Sequence, residues 1–127
     1  METMIFLDTH VVAWLYTNQL KTLSKKALDY INQGELYISE IVKLELQYLY
    51  EIGRINKKHE TIISSLDKDI GLNFSPNKYS QIINQTIKMD FTRDPFDRII
   101  VADASLRDSI LISKDRRIID NYHRAVC

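Results

Sequence analysis

Four acidic residues stand where packing alone would favour something apolar, and their types suit them to chemistry: Asp8, Glu45, Asp97 and Asp115. Asp8 ends the apolar run Met4-Ile5-Phe6-Leu7. Glu45 falls within a stripe of Ile41, Leu44, Tyr48, Leu49 and Ile52 at helical spacing, where an ionised carboxylate is expensive unless paired or bound to a metal. Asp97 shares a helical face with Ile100, Val101 and Ala104, and Asp115 follows the apolar run Ile110-Leu111-Ile112. Each acid also has a purely structural reading. Asp8 and Asp115 fit helix N-caps, Glu45 fits a buried ion pair, and Asp97 fits the first turn of a helix, where negative charge favours the dipole.

The elements around these acids decide between the two readings. Apolar runs that read as buried strands alternate with segments of helical period, the pattern of an α/β domain with a central, mainly parallel sheet between helices. The spacing predicts strands over residues 4–7, 36–38, about 70–74 and 110–112, with a last edge strand in the tail 124–127. Helices are predicted over residues 24–33, over 39–52 with Ser39 as cap, over 57–68, and over 75–88 opening at Ser75-Pro76. The strongest start is Asp94-Pro95-Phe96-Asp97, and a short helix follows over residues 116–120. In an open parallel sheet, strand ends and helix starts lie on the edge where ligands bind. Asp8, Asp97 and Asp115 are therefore expected to converge there, with Glu45 joining from a neighbouring helix. With oxygen donors and no His/Cys cluster or EF-hand loop, the expected ion is Mg²⁺ or Mn²⁺ rather than zinc.

Composition bounds the rest. A chain of 127 residues with 45% hydrophobic content suits one compact domain over residues 1–127. Seventeen basic residues balance seventeen acidic ones, so no global field collects phosphate and any nucleic-acid contact must be local. The candidates are the cluster Lys114, Arg116 and Arg117 and the scattered Arg93, Arg98 and Arg107. The lone cysteine is Cys127, which excludes an internal disulfide and points to a reducing compartment. The opening METMIFLD has no basic stretch and too short an apolar run for a signal peptide or a membrane span, so a cytoplasmic protein is expected.

Four stretches together resemble the successive motifs of PIN domains, and VapC-type toxins in particular. They are Leu7-Asp8-Thr9-His10 with Trp14; residues 39–45 leading into Tyr50-Glu51-Ile52-Gly53-Arg54-Ile55; Arg93-Asp94-Pro95-Phe96-Asp97-Arg98; and Ile112-Ser113-Lys114-Asp115. The resemblance spans nearly the whole chain, in order. It implies a PIN-like, Rossmann-like three-layer sandwich with Asp8, Glu45, Asp97 and Asp115 as acidic metal ligands. It also implies a Mg²⁺- or Mn²⁺-dependent endoribonuclease, often dimeric, restrained by a cognate antitoxin. Thr9 and Ser113 match hydroxyl positions that support such a site, and Asp94 matches an auxiliary acid. Arg98, Lys114 and Arg116 are the expected phosphate contacts. Asp103 stands where the family commonly has an uncharged residue, and it is expected to face solvent.

Other readings fare less well on the residues. A receiver-like module needs a phosphorylatable aspartate at the end of the middle strand, where this chain has Asn73-Phe74. A haloacid-type phosphatase needs an acid two residues after Asp8, where His10 stands. No Gly-rich phosphate loop occurs, and no Ser/His or Cys/His arrangement offers a nucleophile. An inert PIN scaffold that only binds partners is the remaining alternative to the nuclease.

Overall fold

The computed structural model describes residues 4–127. Five parallel strands form one sheet in the order β3-β2-β1-β4-β5. They are β1 (Met4–Leu7), β2 (Glu35–Ile38), β3 (Asn73–Phe74), β4 (Ile110–Ile112) and β5 (Ala125–Val126). Helices α1 (Thr9–Tyr16), α2 (Lys25–Gln33), α3 (Ile41–Glu51), α4 (His59–Ile70), α5 (Tyr79–Ile87), α6 (Pro95–Ser105) and α7 (Arg116–Asn121) connect and cover them. This is the α/β sandwich that the alternation of apolar runs and helical segments predicts.

β1 occupies the middle because nothing polar interrupts it: Ile5, Phe6 and Leu7 are wholly buried, as are Leu111 and Ile112 on β4. β2 buries Leu36 and Ile38 and leaves its alternate residues half-buried. From β1 the chain builds outward through β2 and β3, then returns to the other side of β1 to lay down β4 and β5. The order thus reverses between β1 and β4, and at such a point the loops leaving neighbouring strands diverge and open a crevice at their C-terminal ends. Leu7 pairs with Ile112, so the crevice lies between Asp8 and Ser113.

Several sequence expectations shift. Ser39 does not cap α3: the helix begins at Ile41 after Glu40, with no side-chain cap, and the Ser39 carbonyl accepts from the Val42 amide. α4 runs from His59 to Ile70, two residues later at each end than predicted, which leaves β3 only Asn73 and Phe74. α5 opens at Tyr79 rather than at Ser75-Pro76, because the Ser75 hydroxyl accepts from the Asn77 amide and donates to Asp103, which holds the segment as a turn.

The largest correction concerns the phase of α3. Its buried residues are Val42, Glu45, Leu46 and Leu49, whereas Leu44, Tyr48 and Ile52 are 56%, 47% and 48% exposed. α3 is apolar on most of its circumference, so helical spacing alone admits more than one inward face. Packing against α1, α4 and α6 selects this one. Asp103 is the second correction, since it is wholly buried rather than solvent-facing. One oxygen accepts from Ser75 and Asn77, pinning the β3–α5 turn to α6, while the other is buried without a partner among the described residues.

Gly34 sets how closely α2 can approach β1. A Cβ there would collide with the buried Ile5 side chain and lie 3.1 Å from the Tyr30 carbonyl. Ile5 is enclosed by core and cannot yield cheaply. Gly34→Ala is expected to destabilise the fold by about 1–3 kcal/mol in urea denaturation, and unchanged stability would show that this corner relaxes freely.

Candidate active site

The crevice between β1 and β4 is built by hydrogen bonds that start in the sheet. The Asp8 amide donates to the Ile112 carbonyl, extending the ladder one residue past β1 and fixing the carboxylate at the strand end. That carboxylate is buried and caps α1, accepting from the Thr9 amide at 2.8 Å. Its other oxygen accepts from the Ser113 hydroxyl at 2.7 Å, and the Ser113 oxygen in turn accepts from the Asp115 amide at 3.0 Å. Asp115 caps α7, accepting from the Arg117 and Ile118 amides. A single serine therefore ties the acid after β1 to the loop after β4.

Glu45 enters from α3. It is 8% exposed, and the wholly buried Thr9 hydroxyl donates to it at 2.6 Å. α6 supplies Asp94 and Asp97. Asp94 caps the helix through the Phe96 amide, followed by Pro95 in the first turn, so the helix start fixes the position of Asp97.

These acids lie near enough to one another for their charges to interact. Burial raises the Asp97 pKa to about 8, reinforced by the charges of Asp8, Asp94, Asp115 and Glu45. Burial also raises Glu45, with Asp8 and Asp94 adding to the effect, while the Thr9 hydrogen bond and the charge of His10 oppose it. Asp8 is raised by burial and by Asp115 against the stabilising bonds from Ser113 and Thr9. Among the described residues none of the five acids is ion-paired with a lysine or arginine. Nor do three or more acidic, histidine or cysteine side chains close around one ligating point. The acids share a field without forming a finished ligand shell. An all-oxygen donor set with uncompensated negative charge fits a hard divalent cation.

The basic residues nominated from sequence lie differently. Arg98 is half-buried and donates to the Thr86 carbonyl at 3.2 Å, and its buried Nε has no partner among the described residues. Lys114 is exposed, and the exposed Arg116 pairs with Asp120 at 3.7 Å along the surface of α7. Arg117 instead turns toward the acids: its guanidinium donates to Thr92 at 3.3 Å, and the same hydroxyl accepts from the Asp94 amide. Sequence reasoning held Arg117 only as one of a charged cluster and did not single out Thr92. His10, exposed on α1, is near enough for its charge to act on both Asp8 and Glu45.

The PIN domain family model matches residues 5–124, and the chain belongs to that family. In structure it is similar to a chain of the VapBC2 complex from Rickettsia felis bound to a DNA fragment from its promoter. That likeness has a TM-score of 0.65 and 12% identity, over 98% of this chain and 96% of the other. It is also similar to a chain of VapBC-1 from nontypeable Haemophilus influenzae, with a TM-score of 0.58 and 19% identity, over 93% and 94% of the two chains. At these identities the likeness is one of fold. No curated protein matches the chain in sequence.

The raised Asp97 pKa has a thermodynamic consequence with a definite sign. Between its ordinary value of 3.8 and about 8 the folded protein holds a proton that the unfolded chain releases, so stability falls as pH rises through that window. In chelator, the melting temperature of the wild type is expected to decline over this range relative to Asp97→Asn, whose curve is flatter and higher near pH 8. Parallel curves for the two proteins would mean that Asp97 ionises without penalty.

Proposed function

We propose that this chain is a metal-dependent endoribonuclease acting as the toxin of a toxin-antitoxin pair, with Asp8, Glu45, Asp97 and Asp115 as its metal-binding acids. The observation that carries the reading is the convergence of these acids at the sheet's switch point, where burial, reinforced by their mutual repulsion, lifts Asp97 to about 8 and no basic residue among the described residues is paired against them. Membership of the PIN-domain family supports it. When bound, Mg²⁺ or Mn²⁺ would orient the scissile phosphate, lower the pKa of a water and offset charge on the leaving oxygen.

The chain's own residues supply the rest. Thr9 and Ser113 hold Glu45 and Asp8 in place, and the first turn of α7 holds Asp115, so the donors are fixed before substrate arrives. Asp97 has no such bond among the described residues, and burial with the neighbouring carboxylates raises its proton affinity; Glu45 is raised by the same causes, and one of these two accepts the proton of the attacking water. The water oxygen bonds to phosphorus as the bond from phosphorus to the 3′ oxygen breaks. Asp94 adds negative charge to the site, and Arg117, linked to Asp94 through Thr92, is available to a neighbouring phosphate.

The partners follow from the same reading. The fold neighbours are chains of VapBC complexes, and the sequence motifs match the VapC-type member, which supports a cognate antitoxin. The exposed apolar face of α3, with Leu44, Tyr48 and Ile52, suits a protein partner such as the antitoxin or a second copy. A cytoplasmic location agrees with the lone cysteine, and no described helix is long and apolar enough to cross a membrane. One observation favours a second reading, an inert PIN scaffold: the described acids do not close around a point.

The test is cleavage of single-stranded RNA in Mg²⁺ or Mn²⁺ and in EDTA. Activity is expected to vanish in EDTA and to fall about a hundredfold or more in Asp8→Asn and Asp97→Asn. Mg²⁺ should also raise the melting temperature of the wild type and not of Asp97→Asn. Metal binding without turnover would favour the scaffold, and full activity in EDTA would remove the mechanism.

A further inference from the structure

The acidic centre repels a polynucleotide, yet the pocket beside it is built with the opposite character. It occupies about 450 Å³ between α1, the end of α3 and the loop that leads to α4. Its floor is the buried pair Leu49 and Ile62, and one wall is α1, where His10 and Trp14 lie one turn apart with ring centroids 6.2 Å apart. The opposite wall carries exposed Arg54, Asn56 and Lys57. These are held by a defined turn: Gly53 takes φ +78°, and the Arg54 amide donates to the Leu49 carbonyl at 2.8 Å. His10, which lines the pocket, lies two residues after Asp8, and its charge acts on both Asp8 and Glu45.

We propose that this pocket receives an unpaired nucleobase of the RNA strand next to the point of cleavage, stacked on Trp14 and His10, with Arg54 and Lys57 on the adjoining phosphates. An aromatic wall accepts the π face of any base, and flanking cations follow the backbone, which is the usual chemistry of single-strand recognition. Asn56 offers an amide to a base edge and supplies the means of choosing between bases. Duplex RNA is excluded, since its bases are paired and its grooves do not present a ring to such a slot. Arg54 and Lys57 also complement acids that pair with no basic side chain among the described residues, because the backbone is held next to the centre rather than within it.

The proposal rests on the acids being an RNA-cleaving centre, and its test is separable from cleavage. Trp14 is the only tryptophan in the chain, so its fluorescence reports this pocket alone. Titration with short single-stranded oligoribonucleotides in EDTA is expected to quench Trp14, while a duplex of the same sequence does not. Replacing both cations, Arg54→Ala with Lys57→Ala, should weaken binding and reduce the slope of log affinity against log salt by about 0.7 for each phosphate that is no longer neutralised. Both side chains are exposed, so the variant's melting temperature should match the wild type. RNA retained on a filter without quenching, or a salt slope unchanged in the double variant, would overturn the pocket while leaving the nuclease reading intact. Absence of metal-dependent cleavage with quenching preserved would remove the nuclease reading and leave the base pocket standing.

Discussion

Negative charge held in a poorly solvated crevice is the constraint on which the rest of this structure depends. Unit charges a few ångströms apart repel far more strongly where water is excluded than at a surface, and no lysine or arginine among the described residues pairs with these acids. Asp97 shows the consequence most plainly, with its proton affinity raised by burial and by four neighbouring carboxylates. No basic side chain among the described residues neutralises this charge, and a strongly perturbed carboxyl group in such a crevice marks a candidate site for binding a cation or moving a proton.

Tolerance is achieved with neutral donors. Thr9 serves Glu45, Ser113 serves Asp8, and the first turns of α1, α6 and α7 receive Asp8, Asp94 and Asp115. The two hydroxyl bonds link residues 36 and 105 positions apart, so they join α1 to α3 and the end of β1 to the end of β4. The N-cap roles of Asp8 and Asp115 and the chemical roles proposed for them are therefore not rivals. One oxygen of each carboxylate can satisfy a helix start while the residue still adds its charge to the crevice.

α3 carries opposed demands on its two sides. Inward, it delivers Glu45 among Val42, Leu46 and Leu49; outward, it leaves Leu44, Tyr48 and Ile52 uncovered. Tyr48 stacks with Phe96, at the start of the helix that carries Asp97, with ring centroids 6.0 Å apart. A helix so placed connects the acidic centre to the outer surface of the molecule. A partner bound on that outer side would press on the helix that positions Glu45, and through Phe96 on the start of α6.

Much of this could be read from the residues in order. The strands at Met4–Leu7 and Ile110–Ile112 and the helix start at Asp94-Pro95 are local signals, because a continuous apolar run or a capped first turn carries its own explanation. The acids stood out for the same reason, each being a charge in an apolar neighbourhood. What the sequence could not settle was the phase of α3, where apolar residues nearly encircle the helix and only packing against α1, α4 and α6 selects the buried face. Nor could it place Asp103, whose burial depends on a turn at Ser75 and Asn77 some 26 to 28 residues away. Local pattern fixes which segments become strands and helices because those preferences act over a few residues. Which side chains meet is decided by the docking of elements distant in the chain, and only the tertiary structure holds that information.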